Sequence, residues 1–543
     1  MSEFPVIIVG GGPVGLTLAM DLGWRGVPSL LFEERVPTTP PNPKCNTTNA
    51  RSMEHFRRLG CADRIRAAGL PADHPTHVVY LTRFNGHLLG RLNLPASAMR
   101  RQDRGALDEG WPTPEPQHRI SQIFLEPILH EHALTFPGVA IQRGWRVERF
   151  IQNDGYVDVE AIEVTTGRQE KHRARFVIGC DGGRSTIRRQ LGIELRGIDV
   201  IGRTVSVYFR SRELIRHDRN GPAWMYWILN RDQMGNVIAL DGKELWLCHL
   251  MVPPEKSFED IDIDRGVAQA LGADVPREVL GVERWTSRRL VADRYRDRNV
   301  FLAGDAAHIW IPLGGFGMNA GIGDATHLAW VLAATFHGWA GSHLLDAYEV
   351  ERRPIGDMVS NAAVQILKNR GPAMQVPEGI EEDTVAAQAL RSAMGEQIVA
   401  ADASQFNSVG VQLGYFYDVS PINSNDGSPA PNLVLDRYVP SSRPGARAPH
   451  LWRSDGSSLY DQFGRDFTLL RIGTTPPATE RLLDAFAARR VPLKRLDVLE
   501  ASAPAVYENY PLVLVRPDQH IAWRGFDVPS APLEIVDRIR GAA

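Results

Sequence analysis

Three short stretches of this sequence combine glycine with a single acidic residue in a way suited to a ligand that carries phosphates and sugar hydroxyls. The first is Gly10-Gly11-Gly12-Pro13-Val14-Gly15, a GxGxxG pattern, with Glu33 lying 18 residues beyond Gly15. In such a pattern Gly10 permits a tight turn, Gly12 lets the backbone approach a pyrophosphate, and Gly15 lets the next helix pack close to the sheet. The phosphates would face the free N–H groups at the helix start, and Glu33 would accept from a ribose 2′-hydroxyl. The second stretch is Asp181-Gly182-Gly183-Arg184-Ser185, and the third is Gly304-Asp305-Ala306-Ala307-His308, followed by Pro312-Leu313-Gly314-Gly315-Phe316-Gly317-Met318-Asn319. Glycine-rich turns with one acid are what close backbone approach to a ligand requires. These residues announce a dinucleotide without saying which.

Each motif needs a strand before it and a helix after it, and the apolar patterning supplies both. Val6 to Val9 and Ser29 to Phe32 are continuous apolar runs of the kind buried on both faces of a parallel sheet, with a helix between them at Leu16 to Trp24. Phe176 to Gly179 and Val300 to Ala303 lead into the second and third motifs, and Ala320 to Phe336 reads as a helix. The fold expected is α/β. Between the motifs, Thr204 to Tyr208 and Leu245 to Val252 are rich in branched and aromatic residues and alternate in places, as half-buried antiparallel strands do. Trp224, Tyr226, Trp246 and His249 in this insert could line a flat ligand, although ordinary core packing accounts for each of them equally well. After Asn369-Arg370-Gly371-Pro372, a connector rich in Pro, Ser and Asn runs from Ser420 to His450. Beyond it the order is strand (467–472), helix (480–489), strand (493–499), hairpin (512–523) and helix (532–539).

Composition narrows the class. The 543 residues exceed what one core usually serves, so two or three units are expected. Sixty-one Lys plus Arg against 64 Asp plus Glu leave a net charge of −3, which offers no field to draw in nucleic acid or an anionic membrane. The four cysteines, Cys45, Cys61, Cys180 and Cys248, form no CxxC pair. That excludes a disulfide framework or cysteine zinc site, and dithiol chemistry in the cysteine-free C-terminal unit. No metal site is expected either, since His130 and His132 lie two apart on a helix and face different ways. No secretory signal or membrane span is evident, so a cytoplasmic location is expected.

The three motifs in this order resemble the para-hydroxybenzoate hydroxylase superfamily, the class A flavoprotein aromatic hydroxylases. The resemblance extends to a phenol hydroxylase and polyketide hydroxylase branch through Gly414-Tyr415-Phe416-Tyr417 and the stretch from Leu451 to Gly525. It implies a Rossmann-type FAD-binding domain in three pieces (1–73, 111–194 and 291–370), which enclose a mixed-sheet substrate domain (74–110 and 195–290). A helix and connector (371–450) and a thioredoxin-like C-terminal domain (451–543) follow. It further implies FAD held by Gly10, Gly12, Gly15, Glu33, Lys44, Arg51, Gln122, Asp181, Gly182, Gly304, Asp305, Pro312, Gly317, Met318 and Asn319. Gly314 and Phe316 would join the four insert residues around the substrate, and Pro312, His249 and Tyr226 are the candidate catalytic residues. Lys44 stands where relatives often carry Arg, and Phe316 and Gly323 where they often carry Gln.

The implied reaction is hydroxylation of a small phenolic substrate with NADPH or NADH and O2, through a flavin C4a-hydroperoxide. Baeyer-Villiger oxidation or epoxidation of a polycyclic or polyketide-like substrate is the alternative. A phenol with a pKa near 10 must lose about 3 to ionise near neutrality, about 4 kcal/mol, so some group must stabilise phenolate or accept its proton. His249 and Tyr226 are the candidates. A plain dehydrogenase leaves the Gly304-Asp305 region unexplained, and a flavin halogenase would carry WxWxIP where this chain reads Trp224-Met225-Tyr226-Trp227-Ile228-Leu229. A flavoprotein that only sequesters ligands would not need all three motifs. For the C-terminal unit a packing or dimer-contact role is expected, which leaves a homo-oligomer open.

Overall fold

A computed structural model describes residues 2–44, 46–100 and 110–543 of the protein. Cys45 and much of the end of the 74–110 segment lie outside the described residues. The apolar runs at the N-terminus form the centre of a parallel sheet. Its strands lie in the order Val300–Leu302, Gln169–Gly179, Ser2–Val9, Ser29–Glu33, Val139–Arg143. Val6, Ile7 and Ile8 are at most 1% exposed, in one apolar core with Leu16 and Leu18 of the helix Pro13–Trp24 and with Val147 and Val159 of the paired strands Trp145–Gln152 and Val157–Glu163. The helix Pro13–Trp24 packs on the helix Phe316–Phe336 and on Gln122–Ala133.

The second sheet runs His308–Trp310, Glu278–Ala292, Leu195–Arg210, Leu245–Val252, Gly235–Ala239, Met225–Ile228, Val78–Leu81, Leu88–Leu92. It draws strands from both the 74–110 and the 195–290 stretches. It also takes His308–Trp310 from the 291–370 piece, so the two domains share a strand connection directly after the Gly304-Asp305 turn. Alternation along Leu245–Val252 sends Trp246, Cys248 and Leu250 to the side of the helix Ile263–Leu271, where a carbon added at Gly266 would meet Leu250 at 2.8 Å. His249 points to the other side.

The C-terminal sheet is ordered Leu493–Val498, Phe467–Ile472, Leu512–Val515, Ile521–Gly525, with one parallel and two antiparallel pairings. With the helices Glu480–Ala488 and Pro532–Ile539 it forms the thioredoxin-like unit. One of its faces is not its own. Phe467, Leu469, Leu514 and Trp523 belong to the same apolar core as Val6, Leu16 and Trp330 of the first sheet and its helices.

Candidate active site

The Gly-rich turn begins at Gly10, whose φ of +108° lies in the left-handed region and whose missing side chain leaves room for Cys180; a β carbon there would lie 2.3 Å from the Cys180 carbonyl oxygen. At Gly15 it would lie 2.0 Å from the Gly10 carbonyl, so this position sets how closely the helix approaches the turn. Gly12 differs, because a β carbon there meets nothing within 4 Å. The space in front of the helix Pro13–Trp24 is therefore open, and no side chain caps its first N–H groups. That is the arrangement a pyrophosphate needs.

Glu33, 8% exposed, stands beside this turn and accepts from the Gly11 N–H at 2.6 Å and from Arg35 Nε at 2.8 Å. Arg35 reaches on to Glu126 at 2.7 Å, and Gln122 donates to the same carboxylate. Glu33, Arg35 and Glu126 wall a cavity of about 400 Å³ that also touches Gly11, Thr38, Pro40 and Arg143. Its position next to Glu33 suits the adenosine end of a dinucleotide. Arg35 and Glu126 escaped the sequence reading, although Arg35 lies only two residues beyond Glu33.

The second and third motifs meet each other. Asp181 caps the short helix after it, accepting from the Thr186 and Ile187 N–H groups at 2.7 and 3.2 Å, while its Oδ1 is buried with no hydrogen-bond partner among the described residues. Arg188 donates to the Ala306 carbonyl at 3.1 Å and to the Gly183 carbonyl at 3.1 Å, which joins the Asp181-Gly182 and Gly304-Asp305 turns. Asp305 is exposed in this turn. Desolvation by the surrounding protein pushes this carboxyl above its ordinary range, against the pull of His308 and Lys44. Lys44 itself pairs with Glu283 of the second sheet at 3.2 Å.

Behind the turn stands Asp324, which sequence reasoning missed. It accepts from the Gly304 N–H at 3.1 Å, from His308 Nε2 at 2.7 Å and from Arg352 Nε at 2.8 Å. Burial raises the Asp324 carboxyl but Arg352 and His308 outweigh it, and the net effect is a lowered pKa. Gly323 explains why no glutamine stands there, since a β carbon would meet Arg352 Nη2 at 2.8 Å.

The loop after the turn exposes Pro312 and folds Gly314 against the Phe316 ring, where a β carbon would lie 2.4 Å away. Phe316 itself is 2% exposed, in an apolar cluster with Trp310 and Ile355. Asn319 donates to the carbonyls of Thr47 and Gly315 at 3.0 and 2.6 Å and accepts from the Asn49 N–H at 2.9 Å, stapling this loop to the segment after Lys44. Gly317 and Met318 are half-buried beside it.

The candidate residues do not all gather. Arg51 donates to Glu54 (2.8 Å), Gln519 (2.6 Å) and the Asp518 carbonyl (2.6 Å), so it joins the FAD-binding domain to the C-terminal unit instead of facing the cofactor cleft. Tyr226 is fully buried against Phe84, its hydroxyl occupied by Asp218 at 2.9 Å and the Ala223 N–H at 2.8 Å. Burial and the Asp218 charge raise its pKa, so the hydroxyl keeps its proton, and that proton is already given to Asp218. Trp246 packs edge-on to the same Phe84 and donates to the Ser211 carbonyl at 3.1 Å. Both are core residues, on the helix-covered side of the sheet. Trp224 lies under the Arg119 guanidinium at 4.3 Å and packs on Phe406. His249 is half-buried, on the face opposite Trp246, with Nδ1 2.8 Å from Ser206 Oγ.

Residues 3–363 match the family model described as FAD binding domain, and residues 441–543 match the one described as aromatic-ring hydroxylase, C-terminal. The chain is similar to the FAD-dependent monooxygenase apdD of Emericella nidulans, with 35% identity across 98% of this chain and 89% of the relative. Among solved structures it is similar to the rebeccamycin biosynthetic enzyme RebC with reduced flavin, with a TM-score of 0.91 and 36% identity, covering 100% of this chain and 99% of the other. A ternary complex of aklavinone-11 hydroxylase with FAD and aklavinone gives a TM-score of 0.83 and 27% identity, covering 100% and 99%. This chain belongs to the flavin-dependent monooxygenases of the FAD-binding aromatic-ring hydroxylase family. The open space at Gly12, the cavity beside Glu33 and the accessible Asp305 carboxylate fit FAD. Among the described residues, no helix is long and apolar enough to cross a membrane.

Proposed function

We propose that the chain is a single-component, NAD(P)H-dependent hydroxylase of a phenol-like aromatic substrate. The observation that carries this reading is the strand His308–Trp310, which leaves the Gly304-Asp305 turn and pairs at once with Glu278–Ala292 of the second sheet. A ring lying on that sheet is thereby brought next to the turn. Bound FAD would pass electrons from a reduced nicotinamide to O2 and activate the oxygen for transfer. The chain binds and orients. The helix start at Gly12 would take the pyrophosphate, Glu33 a ribose hydroxyl, and Asp305 a hydroxyl of the ribityl chain. Asp324 keeps the turn in place through the Gly304 N–H. The aklavinone-11 hydroxylase complex, in which FAD and an organic ligand are bound together in a similar fold, supports the same division of labour.

Purified protein should be yellow and should consume NADPH or NADH faster when the right aromatic compound is added. With 18O2, the product should gain one labelled oxygen as a ring hydroxyl. A labelled lactone or epoxide would assign the Baeyer-Villiger or epoxidation alternative instead. Colourless protein that binds only NAD would overturn the reading.

A further inference from the structure

A polar row crosses one face of the substrate sheet. Glu283, Ser206, His249, Asn236, Trp227 and Tyr80 are successive partners on neighbouring strands, and such partners share a face. The ends of the row are occupied by protein: Glu283 pairs with Lys44, and Tyr80 donates to Asp402 at 2.9 Å. In the middle the Arg370 guanidinium covers the Trp227 ring at 3.9 Å, but polar atoms are left over. Asn236 and Trp227 are 9% and 7% exposed, yet Asn236 Oδ1 and Trp227 Nε1 are buried with no hydrogen-bond partner among the described residues. Left so, each is costly, which points to a ligand that satisfies them.

His249 begins this unsatisfied stretch, and its neighbours decide where its proton sits. Trp285 Nε1 lies 2.7 Å from Ser206 Oγ, and an indole N–H can only donate. Ser206 thus accepts from Trp285, and among the described residues its own hydroxyl proton meets one acceptor, His249 Nδ1 at 2.8 Å. Placing the proton on Nδ1 would strand the Ser206 hydroxyl proton, a cost that tilts the tautomer ratio by about tenfold or more. Burial also pushes the imidazole down to about 4, so the ring is neutral at physiological pH. Nδ1 is the acceptor and Nε2 carries the hydrogen.

We propose that His249 presents a fixed Nε2–H donor to a carbonyl or phenolate oxygen of the substrate, with Ser206 and Trp285 as positioning residues that set its tautomer. This rests on the hydroxylase reading for the identity of the occupant. It changes what the residue does: His249 accepts no proton from a phenol, because the nitrogen that could do so is already bonded to Ser206. The ligand must bring its own acceptor. From His249 to Trp227 the row covers two strand spacings, about 10 Å, which a single ring cannot reach and fused rings can. The class that fits is a fused aromatic carrying a ring carbonyl or an acidic hydroxyl toward His249, and a hydroxyl that donates to Asn236.

The test uses holoenzyme labelled with 15N-histidine. At neutral pH, long-range 1H–15N correlation should show a neutral Nε2–H ring that disappears in His249→Phe, and Ser206→Ala should convert it to a mixture of tautomers. An Nδ1–H ring or an imidazolium at His249 would overturn the proposal. A second arm titrates 5-hydroxy-1,4-naphthoquinone and 1-naphthol, followed by flavin absorbance. His249→Phe should weaken the quinone by about tenfold and 1-naphthol by about twofold or less. Equal losses for both, or binding of neither by the wild type, would overturn the ligand class. Both arms proceed without turnover, so a hydroxylase that fails in assay while passing them would refute the proposed reaction and not the role of His249.

Discussion

Replacing Arg516 with Met should destabilise the whole molecule by about 3 to 5 kcal/mol, the usual cost of leaving a buried charge without its partner. The turn between Leu512–Val515 and Ile521–Gly525 carries Arg516 into the FAD-binding domain, where its side chain is 1% exposed. It donates to both oxygens of Glu351 at 2.7 Å, in the bidentate geometry that makes guanidinium–carboxylate pairs strong, and to Asp518 at 2.8 Å. Glu351 is 0% exposed and also holds His327 at 2.6 Å. Burial alone would raise the Glu351 carboxyl, but Arg516 and His327 outweigh it and hold the pKa at about 2 instead of 4.5. A carboxyl depressed in the folded state contributes its stability above the unfolded value, and that contribution is lost as pH falls through the folded one. The gap between wild type and Arg516→Met should therefore be full above 4.5 and narrow as pH falls toward 2. Urea unfolding followed by tryptophan emission measures the gap. The Glu351→Gln, Arg516→Met double variant should recover much of it, because a pair removed together costs less than a pair broken. A single-variant loss below about 1 kcal/mol, or strict additivity in the double variant, would refute the claim that this pair is a buried structural link.

Asp305→Ala should lose roughly ten- to a hundredfold in FAD affinity, measured as flavin retained after gel filtration, since a charged acceptor beside ribityl hydroxyls contributes about 1.5 to 3 kcal/mol. Gly12→Val should leave the apoprotein's circular dichroism and melting unchanged, because its β carbon meets nothing within 4 Å, while flavin content falls sharply. Deleting Leu451 to Ala543 should yield insoluble protein, because Leu16, Trp330 and the rest of the FAD-binding core would lose Phe467, Leu514 and Trp523 from their packing. Soluble, flavin-loaded truncated protein would contradict the shared core.

What the sequence disclosed and what it withheld divide along the range of the interactions involved. The GxGxxG turn, Glu33 and the five C-terminal elements are local patterns, and the strand Leu245–Val252 has the bounds expected from its composition. The same strand shows how far a local pattern reaches. Trp246 and His249 are three residues apart, so alternation alone places them on opposite faces and they could not both line one ligand. Which face meets the cofactor turn depends on the register with Leu195–Arg210 and Glu278–Ala292, which brings Ser206 to His249 from 43 residues before it and Trp285 to Ser206 from 79 residues beyond. Arg51 fails for the same reason: its neighbours in sequence suggest the flavin's path, but its partners Asp518 and Gln519 lie more than 460 residues away. Asp324, Arg352 and Glu351 look in sequence like ordinary helix polar residues; only the packing of the helix Phe316–Phe336 against the helix Asp346–Arg370 makes the first two the support of the Gly304 N–H, and only the arrival of Arg516 makes the third a link to the C-terminal unit. The motifs that touch a ligand are therefore legible because the ligand's geometry is imposed on consecutive residues. The groups that hold those motifs in place answer to no such template, so any polar residue that arrives with the right partner will serve, and its role becomes visible only once the chain is folded.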